Sequence, residues 1–361
     1  MRFDYRARIA QAQAEMARSD VDVLLLSVGA DLPYLTGYEA TPMERLTMLV
    51  LPITGEATLL VPQLEAPRVE EGPYRIRAWQ ETEDPVAIVA DLAKGAATAA
   101  IGDQTWSFFL LWLMEQMPGT QFASATKVTR PLRIRKDASE IAALQEAAAA
   151  ADRVVDRLKE EKFSDRSERD LSHRVIAMTV EEGHDVASFW IVAAGPNGAS
   201  PHHEPGERVL KHGDLVVVDF GGKVRRYGSD CTRTFAIGTP SPEQVEVHRV
   251  VQDAQVTATA AVRPGVAAEA VDAAARKVID DAGYGEYFIH RTGHGIGLET
   301  HEHPYLVNGN AELLEPGMCF SVEPGIYLPG RFGVRLEDIV TVTESGVEPL
   351  NRADHSLVVV S

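Results

Sequence analysis

The sequence predicts an α/β N-terminal domain followed by an α+β C-terminal domain, and three observations predict it. Residues 1–130 alternate helical and strand patterns, as layered α/β structure does. A basic stretch without periodicity, TKVTRPLRIRKDASE (126–140), then breaks the alternation and carries Pro131. Beyond it, two long Ala/Glu/Arg-rich helical patterns precede a region of strands and glycine turns. The boundary is placed within this stretch, giving domains 1–130 and 131–361.

In the first domain YRARIAQAQAEMARSD reads as an amphipathic helix and VDVLLLS as a buried strand. RLTMLVLP and EATLLVP are two further strands joined by the turn ITGE. VAIVADLAKG is a helix closing on Gly95, and AAIGDQ is the next strand. SFFLLWLMEQMPG reads as a core-facing helix, with an exposed docking face as the open alternative. In the second domain helices are expected at about 138–161 and 167–182, the latter stopped by Gly183. Strand signals dominate from Ser188 to Ile237. Ser241 at the N-cap, Pro242 at the first helical position and Gln244 two further on open another helix. One more helix spans about 267–282 and ends at Gly283; from Gly293 onward strands and turns remain.

With 361 residues, 45% hydrophobic and 24% charged, the composition is that of an ordinary globular chain with ample core. A formal net charge of −18 argues against nucleic acid or an anionic membrane as the partner. Cys231 and Cys319 are the only cysteines, too few for a disulfide framework or a thiolate metal site. Met1 to Asp20 is charged throughout, unlike a signal peptide, and the longest apolar run, FFLLWLM, is far too short to cross a bilayer. A cytoplasmic protein is the expectation.

The chemistry begins in VVVDFGGKVRRYGSDCTRTFAIG (216–238), which reads as a hairpin containing two aspartates. A turn near Val224 and Arg225 sets Asp219 opposite Asp230, so both side chains share a face. Adjacent buried carboxylates need a cation or a shared proton. The plainer alternative leaves one aspartate in a turn, facing water. In TGHGIGLETHEHP (292–304) His294 lies between two glycines, which let the backbone approach a neighbour closely. His301 and His303 follow it. Glu323, after MCFSV, and Glu337, after GVRL, are carboxylates in strand-like runs. Taken singly, Glu323 reads as a turn residue and Glu337 as an ion-pair partner of Arg335. Together Asp219, Asp230, His294, Glu323 and Glu337 form a hard-donor set whose charge of −4 matches two divalent cations. Mn²⁺ leads, with Co²⁺ and Zn²⁺ as alternatives.

The blocks VVVDFG, SDCTRTF, GHGIGLETHE, VEPGIY and GVRLED, in this order across residues 138–361, resemble the pita-bread metallopeptidases. That family includes methionine aminopeptidase, Xaa-Pro aminopeptidase, Xaa-Pro dipeptidase (prolidase) and non-metal relatives such as creatinase. Residues 1–130, with PYLTGY (33–38), resemble the creatinase-like N-terminal domain of the proline-directed branch. The intact ligand set, the short spacing from Glu323 to Glu337 and the N-terminal domain all resemble that branch rather than creatinase or methionine aminopeptidase.

The resemblance implies that Asp219 binds one metal, His294 and Glu323 the other, and that Asp230 and Glu337 bridge both. Glu323 is the implied proton carrier. His202, in SPHHEP, and His301 match the family's substrate-site histidines, and Arg335 matches the arginine before the bridging glutamate. Family dipeptidases often carry an arginine just after HExP, where this chain has Tyr305. That departure favours an aminopeptidase acting on short peptides with proline second, although Arg45 could supply a cation; Arg335, Tyr305 and Arg45 are the expected substrate contacts. The alternatives are an Xaa-Pro dipeptidase and a non-catalytic pita-bread binding protein. A homodimer is expected, because in relatives the loop containing DLPYLTGYEATPMER approaches the neighbouring subunit's site.

Overall fold

The computed structural model describes residues 3–361. Contacts divide the chain into a first unit ending at Arg133 and a second spanning Ile134–Ser361.

The first unit is built on helix α1 (Tyr5–Arg18), capped by Asp4, followed by β1 (Val23–Leu26), α2 (Asp31–Thr36), β2 (Met48–Pro52), β3 (Ala57–Pro62) and β4 (Tyr74–Trp79). Then come α3 (Pro85–Leu92), β5 (Thr98–Ile101), α4 (Ser107–Gln116), β6 (Gln121–Ser124) and α5 (Thr126–Arg133). Six strands form one mixed sheet in the order β4-β3-β2-β1-β5-β6. Its Val23, Leu25, Met48 and Val50 pack against Val86 and Val89 of α3 and Phe109 and Leu113 of α4.

Two local expectations change here. Helix α4 buries only Phe109 and Leu113, while Phe108 is 58% exposed, Leu111 60% and Met114 48%. Apolar residues surround this helix, so periodicity cannot choose a buried face. The basic stretch begins as helix α5, despite Pro131. In so short a helix proline forfeits a single N–H, and Val128 and Thr129 still reach the interior.

The second unit opens with α6 (Ala138–Leu158) and α7 (Glu168–Glu181), each started by a capping box, from Asp137/Glu140 and Ser167/Asp170. Strands β7 (Val186–Ala194), β8 (Leu215–Val224), β9 (Tyr227–Gly228) and β10 (Cys231–Ile237) follow, then α8 (Pro242–Ala261) and α9 (Ala268–Asp281). The remainder is β11 (Gly293–Gly295), β12 (Glu302–Leu306), β13 (Cys319–Val322), β14 (Gly325–Leu328), β15 (Phe332–Arg335), β16 (Asp338–Val342), β17 (Val347–Pro349) and β18 (Val358–Val360). One sheet runs β18-β10-β8-β7, with β9 paired to β8, and a second runs β12-β11-β13-β16-β17.

Each sheet is backed by its own helix pair. Val216, Val218 and Phe220 of β8 and Cys231 and Phe235 of β10 pack with Val154, Leu171 and Val175 of α6 and α7. Phe320, Val322 and Val340 of the other sheet pack with Val247, Val251 and Val271 of α8 and α9. Strand alternation then sends Asp219, Thr232 and Ser321 to the opposite faces. The unit therefore presents polar inner faces between two apolar layers.

The hairpin register differs from the expectation by two residues. Arg225 (φ 51°) and Arg226 (φ 72°) form the turn, so Thr232 and not Asp230 stands opposite Asp219. Two successive positive-φ residues make a tight hairpin turn that the sequence disguises, because arginine is uncommon there. A two-residue slip preserves the face of every side chain. Asp230, just before β10, remains on the side of Asp219.

Candidate active site

Between the polar faces of the second unit lies a cavity of about 590 Å³. It is lined by Asp219, Asp230, His294, Glu323 and Glu337, and also by His202 and His301. Ser188, Phe189 and Ile191 of β7 contribute a more apolar wall.

Each proposed ligand is delivered by an identifiable backbone device. His294 occupies β11 between glycines that no other residue could replace. A Cβ at Gly293 would lie 1.9 Å from the Ser321 carbonyl oxygen, and one at Gly295 would lie 2.1 Å from that of His303. Glu323 follows β13, and its Oε1 accepts a 3.1 Å hydrogen bond from the Ser321 hydroxyl. Glu337 precedes β16, where its N–H donates to the Thr232 carbonyl at 3.2 Å and stitches the two sheets together. Its Oε2 accepts from Thr232 Oγ1 at 2.7 Å. The buried Arg233 also donates to the Glu337 carbonyl, at 2.7 Å, and to Asp338 Oδ1, at 2.7 Å.

Donor atoms converge within 4.8 Å of one another in two overlapping sets: Asp219, Asp230 and Glu337; and His294, Glu323 and Glu337. Asp230, His294 and His301 form a third. Burial, together with repulsion from Glu337 and Asp219, holds the Asp230 carboxyl well above its usual range. Glu337 is pushed up by burial and by Glu323 and Asp219. Glu323 is raised chiefly by burial, which outweighs the nearby Arg335 charge. His294 is lowered to about 3, mainly by burial and then by His301, so its ring is neutral.

A neutral His294 donating from Nδ1 to the Gly295 carbonyl (3.1 Å) turns the Nε2 lone pair toward Glu323, at 3.3 Å, and Asp230, at 3.6 Å. Three acceptors facing one another need a cation or protons between them. Asp219 Oδ1 is buried with no hydrogen-bond partner, a second sign that the donor set fits a divalent ion. Oxygen-rich donors with one imidazole and no thiolate suit Mn²⁺, Co²⁺ or Zn²⁺.

Arg335 has a different place from the one expected of a substrate-binding cation. Its Nη2 grips Asp219 Oδ2 at 2.6 Å, its Nη1 donates to Tyr327 Oη at 2.8 Å, and its Nε donates to Thr232 Oγ1 at 3.1 Å. It is buried and engaged in orienting the Asp219 carboxylate. Tyr327 in turn donates to His290 Nε2 at 2.8 Å, while His290 Nδ1 donates to the Arg291 carbonyl at 2.7 Å. Burial and the Arg335 charge lower His290 to about 4, consistent with this neutral tautomer.

Tyr305 also has a different place. Tyr305 is absent from the cavity lining; its ring carries the Arg291 guanidinium, 4.4 Å from the ring centroid. Arg45 belongs to the first unit, where it is paired with Glu81 at 2.8 Å and with Glu44 at 2.5 Å.

Residues outside the sequence expectations complete the surroundings. Arg291 lines the cavity. Its only sequence signal is a cation two positions ahead of the first glycine flanking His294. Glu168, fully buried, holds the loop that carries His202. Its carboxylate accepts from Ala194 N (2.9 Å), Asn197 Nδ2 (2.9 Å), His203 Nε2 (2.8 Å) and Gly206 N (3.2 Å). A glutamate at the start of an amphipathic helix gives no hint of this, since such residues usually serve the helix itself.

Comparison with known proteins agrees with this architecture. The model for "Metallopeptidase family M24" matches residues 142–344, and that for "Creatinase/Prolidase N-terminal domain" matches residues 8–135. The crystal structure of dipeptidase PepE from Mycobacterium ulcerans is 45% identical, covers 100% of both chains and superposes with a TM-score of 0.93. A recombinant prolidase from Thermococcus sibiricus is 40% identical, covers 99% of both chains and has a TM-score of 0.95. The Xaa-Pro dipeptidase of Lactobacillus helveticus is 34% identical, over 95% of this chain and 96% of its own. With a creatinase-type first unit, a pita-bread second unit and a carboxylate-rich cavity within the matched region, this chain belongs to metallopeptidase family M24.

Proposed function

We propose that this chain is a dinuclear, metal-dependent Xaa-Pro dipeptidase, hydrolysing the bond before a C-terminal proline. The observation that carries the choice is end-to-end similarity to proteins named dipeptidase and prolidase, at 34–45% identity. The aminopeptidase preference drawn from Tyr305 gives way to it. Tyr305 lies beneath a cation and so does not mark an uncharged subsite.

In this reading Asp219, Asp230, His294, Glu323 and Glu337 would together hold the two ions. When bound, such ions supply Lewis acidity and bring the pKa of a water toward neutrality. The protein's own groups do the rest. Glu323, raised by burial, is suited to take a proton from the attacking water and deliver it to the proline nitrogen. That nitrogen has no N–H before cleavage, so it must gain a proton to leave. His202 and His301, which line the cavity, donate hydrogen bonds to the developing oxyanion or to the following carbonyl. Arg335 keeps Asp219 aimed into the cavity. A homodimer is part of the proposal, and light scattering tests it.

The test compares Xaa-Pro, Xaa-Pro-Yaa and Xaa-Ala under Mn²⁺. The proposal expects Xaa-Pro to have the highest kcat/KM by at least tenfold. Equal or faster cleavage of Xaa-Pro-Yaa restores the aminopeptidase, and equal cleavage of Xaa-Ala removes the proline requirement.

A further inference from the structure

A dipeptide ending in proline carries a free carboxylate close to the bond that is cut. The cavity already holds four carboxylates, Asp219, Asp230, Glu323 and Glu337, so a fifth negative group needs a cation of its own. Among the described residues lining the cavity, the Lys or Arg side chains are Arg291 and Arg335. Arg335 is excluded, because its nitrogens are engaged by Asp219, Tyr327, Thr232 and the Pro201 carbonyl.

Arg291 differs in every respect. It is half-buried, and its guanidinium has no carboxylate or hydrogen-bond partner among the described residues. It lies over the Tyr305 ring, 4.4 Å from the centroid. A guanidinium stacked on an aromatic face keeps its in-plane N–H donors free, and those donors match the two oxygens of a carboxylate. Tyr305 is in turn fixed, since it pairs with His294 across β11 and β12 and its carbonyl accepts from Asn310 Nδ2 at 2.7 Å. Arg291 lines the same cavity as His294 and His301.

We infer that Arg291, braced on the Tyr305 ring, is the specificity-determining residue that binds the free carboxylate of the substrate's C-terminal proline. The inference rests on the dipeptidase reading and gives it a physical cause. It also explains how this chain dispenses with a cation at position 305: a neighbouring strand end supplies the charge, and Tyr305 supplies its platform.

The experiment uses the Mn²⁺-loaded full chain and two substrates that differ only at the end, Xaa-Pro and Xaa-Pro-amide. The wild type should prefer the acid. Arg291→Met should lower kcat/KM on the acid by about 30- to 1,000-fold, the usual result of truncating one partner of a desolvated charge pair. Most of that loss should appear in KM, and the loss on the amide should be at least tenfold smaller. Arg291→Lys, which keeps charge but loses the planar fork, should fall between wild type and Arg291→Met. Tyr305→Ala should raise KM for the acid more than for the amide.

Equal losses on acid and amide in both Arg291 variants would overturn the inference, because a residue acting only on the electrostatics or folding of the cavity would affect both alike. If wild type prefers Xaa-Pro and Arg291→Met keeps that preference, Arg291 is wrong while the dipeptidase stands. If wild type prefers Xaa-Pro-Yaa, the dipeptidase reading falls first and takes the inference with it.

Discussion

Replacing Arg335 with methionine probes how the carboxylate cluster is tolerated. The substitution keeps the length of the side chain and removes the cation. Asp219 Oδ2 then loses its 2.6 Å partner, while Oδ1 already has none, so the carboxylate is left buried without a protein donor. Breaking a buried pair on one side costs about 3–5 kcal/mol. For a unit of this size that corresponds to a Tm lower by about 6–20 °C. The assay is thermal unfolding after chelation, repeated with saturating Mn²⁺. Chelated Arg335→Met should show the full deficit, and metal should recover a large share of it by supplying positive charge at the same oxygens. The deficit should also shrink toward pH 5. The raised Asp230 and Glu337 carboxyls take up protons as pH falls, and a neutralised cluster has less need of Arg335. A chelated variant within about 2 °C of wild type at pH 7.5 would refute the argument.

Three further outcomes are expected. Asp230→Ala and Glu337→Ala should each lower bound Mn²⁺ from two ions to one or none by elemental analysis; full retention in both removes them as bridges. His202→Ala and His301→Ala should keep both ions yet lose roughly 10²- to 10³-fold in kcat, since neither is assigned as a ligand, and metal loss in either would make that histidine a ligand. His248 is buried in α8, its Nε2 has no partner, and burial lowers it to about 4. Its folded value is depressed, so wild type should lose stability as pH falls from about 6.5 toward 4, on the order of 2 kcal/mol between pH 7 and 5. His248→Leu should lack that part of the pH dependence in denaturant titrations, and identical profiles would reject it.

The features legible in the sequence were those that violate a local rule. An aspartate after four apolar residues and a histidine between two glycines are poor strand choices, and the violation pointed to a site. Grouping Asp219 with Asp230 survived a wrong register because the slip was even. Arg291 broke no rule, since a surface-type cation at a strand end is ordinary until the fold turns it into a cavity. Arg335 broke none either, and only tertiary contacts reveal that its donors are engaged. Glu168 reads as a helix-start residue, and its grip on the His202 loop spans 26 to 38 residues of sequence. The outward face of α4 was undecidable because its residues are apolar on every side.

The five proposed ligands are spread from Asp219 to Glu337 across both sheets, and the strand order brings the earliest and the last together. During synthesis this has a temporal consequence. A nascent chain that has released Asp219 and Asp230 holds two acidic groups without the His294 imidazole, and the second sheet does not yet exist. Tight uptake of ions must therefore wait until β16 follows Glu337 into place. On the proposed ligand set, metal capture would be one of the last events in maturation and would act as a check that the whole second unit has been made and closed. A polypeptide interrupted between residues 295 and 322 would keep three of the five proposed donors, remain poorly metallated and be exposed to degradation.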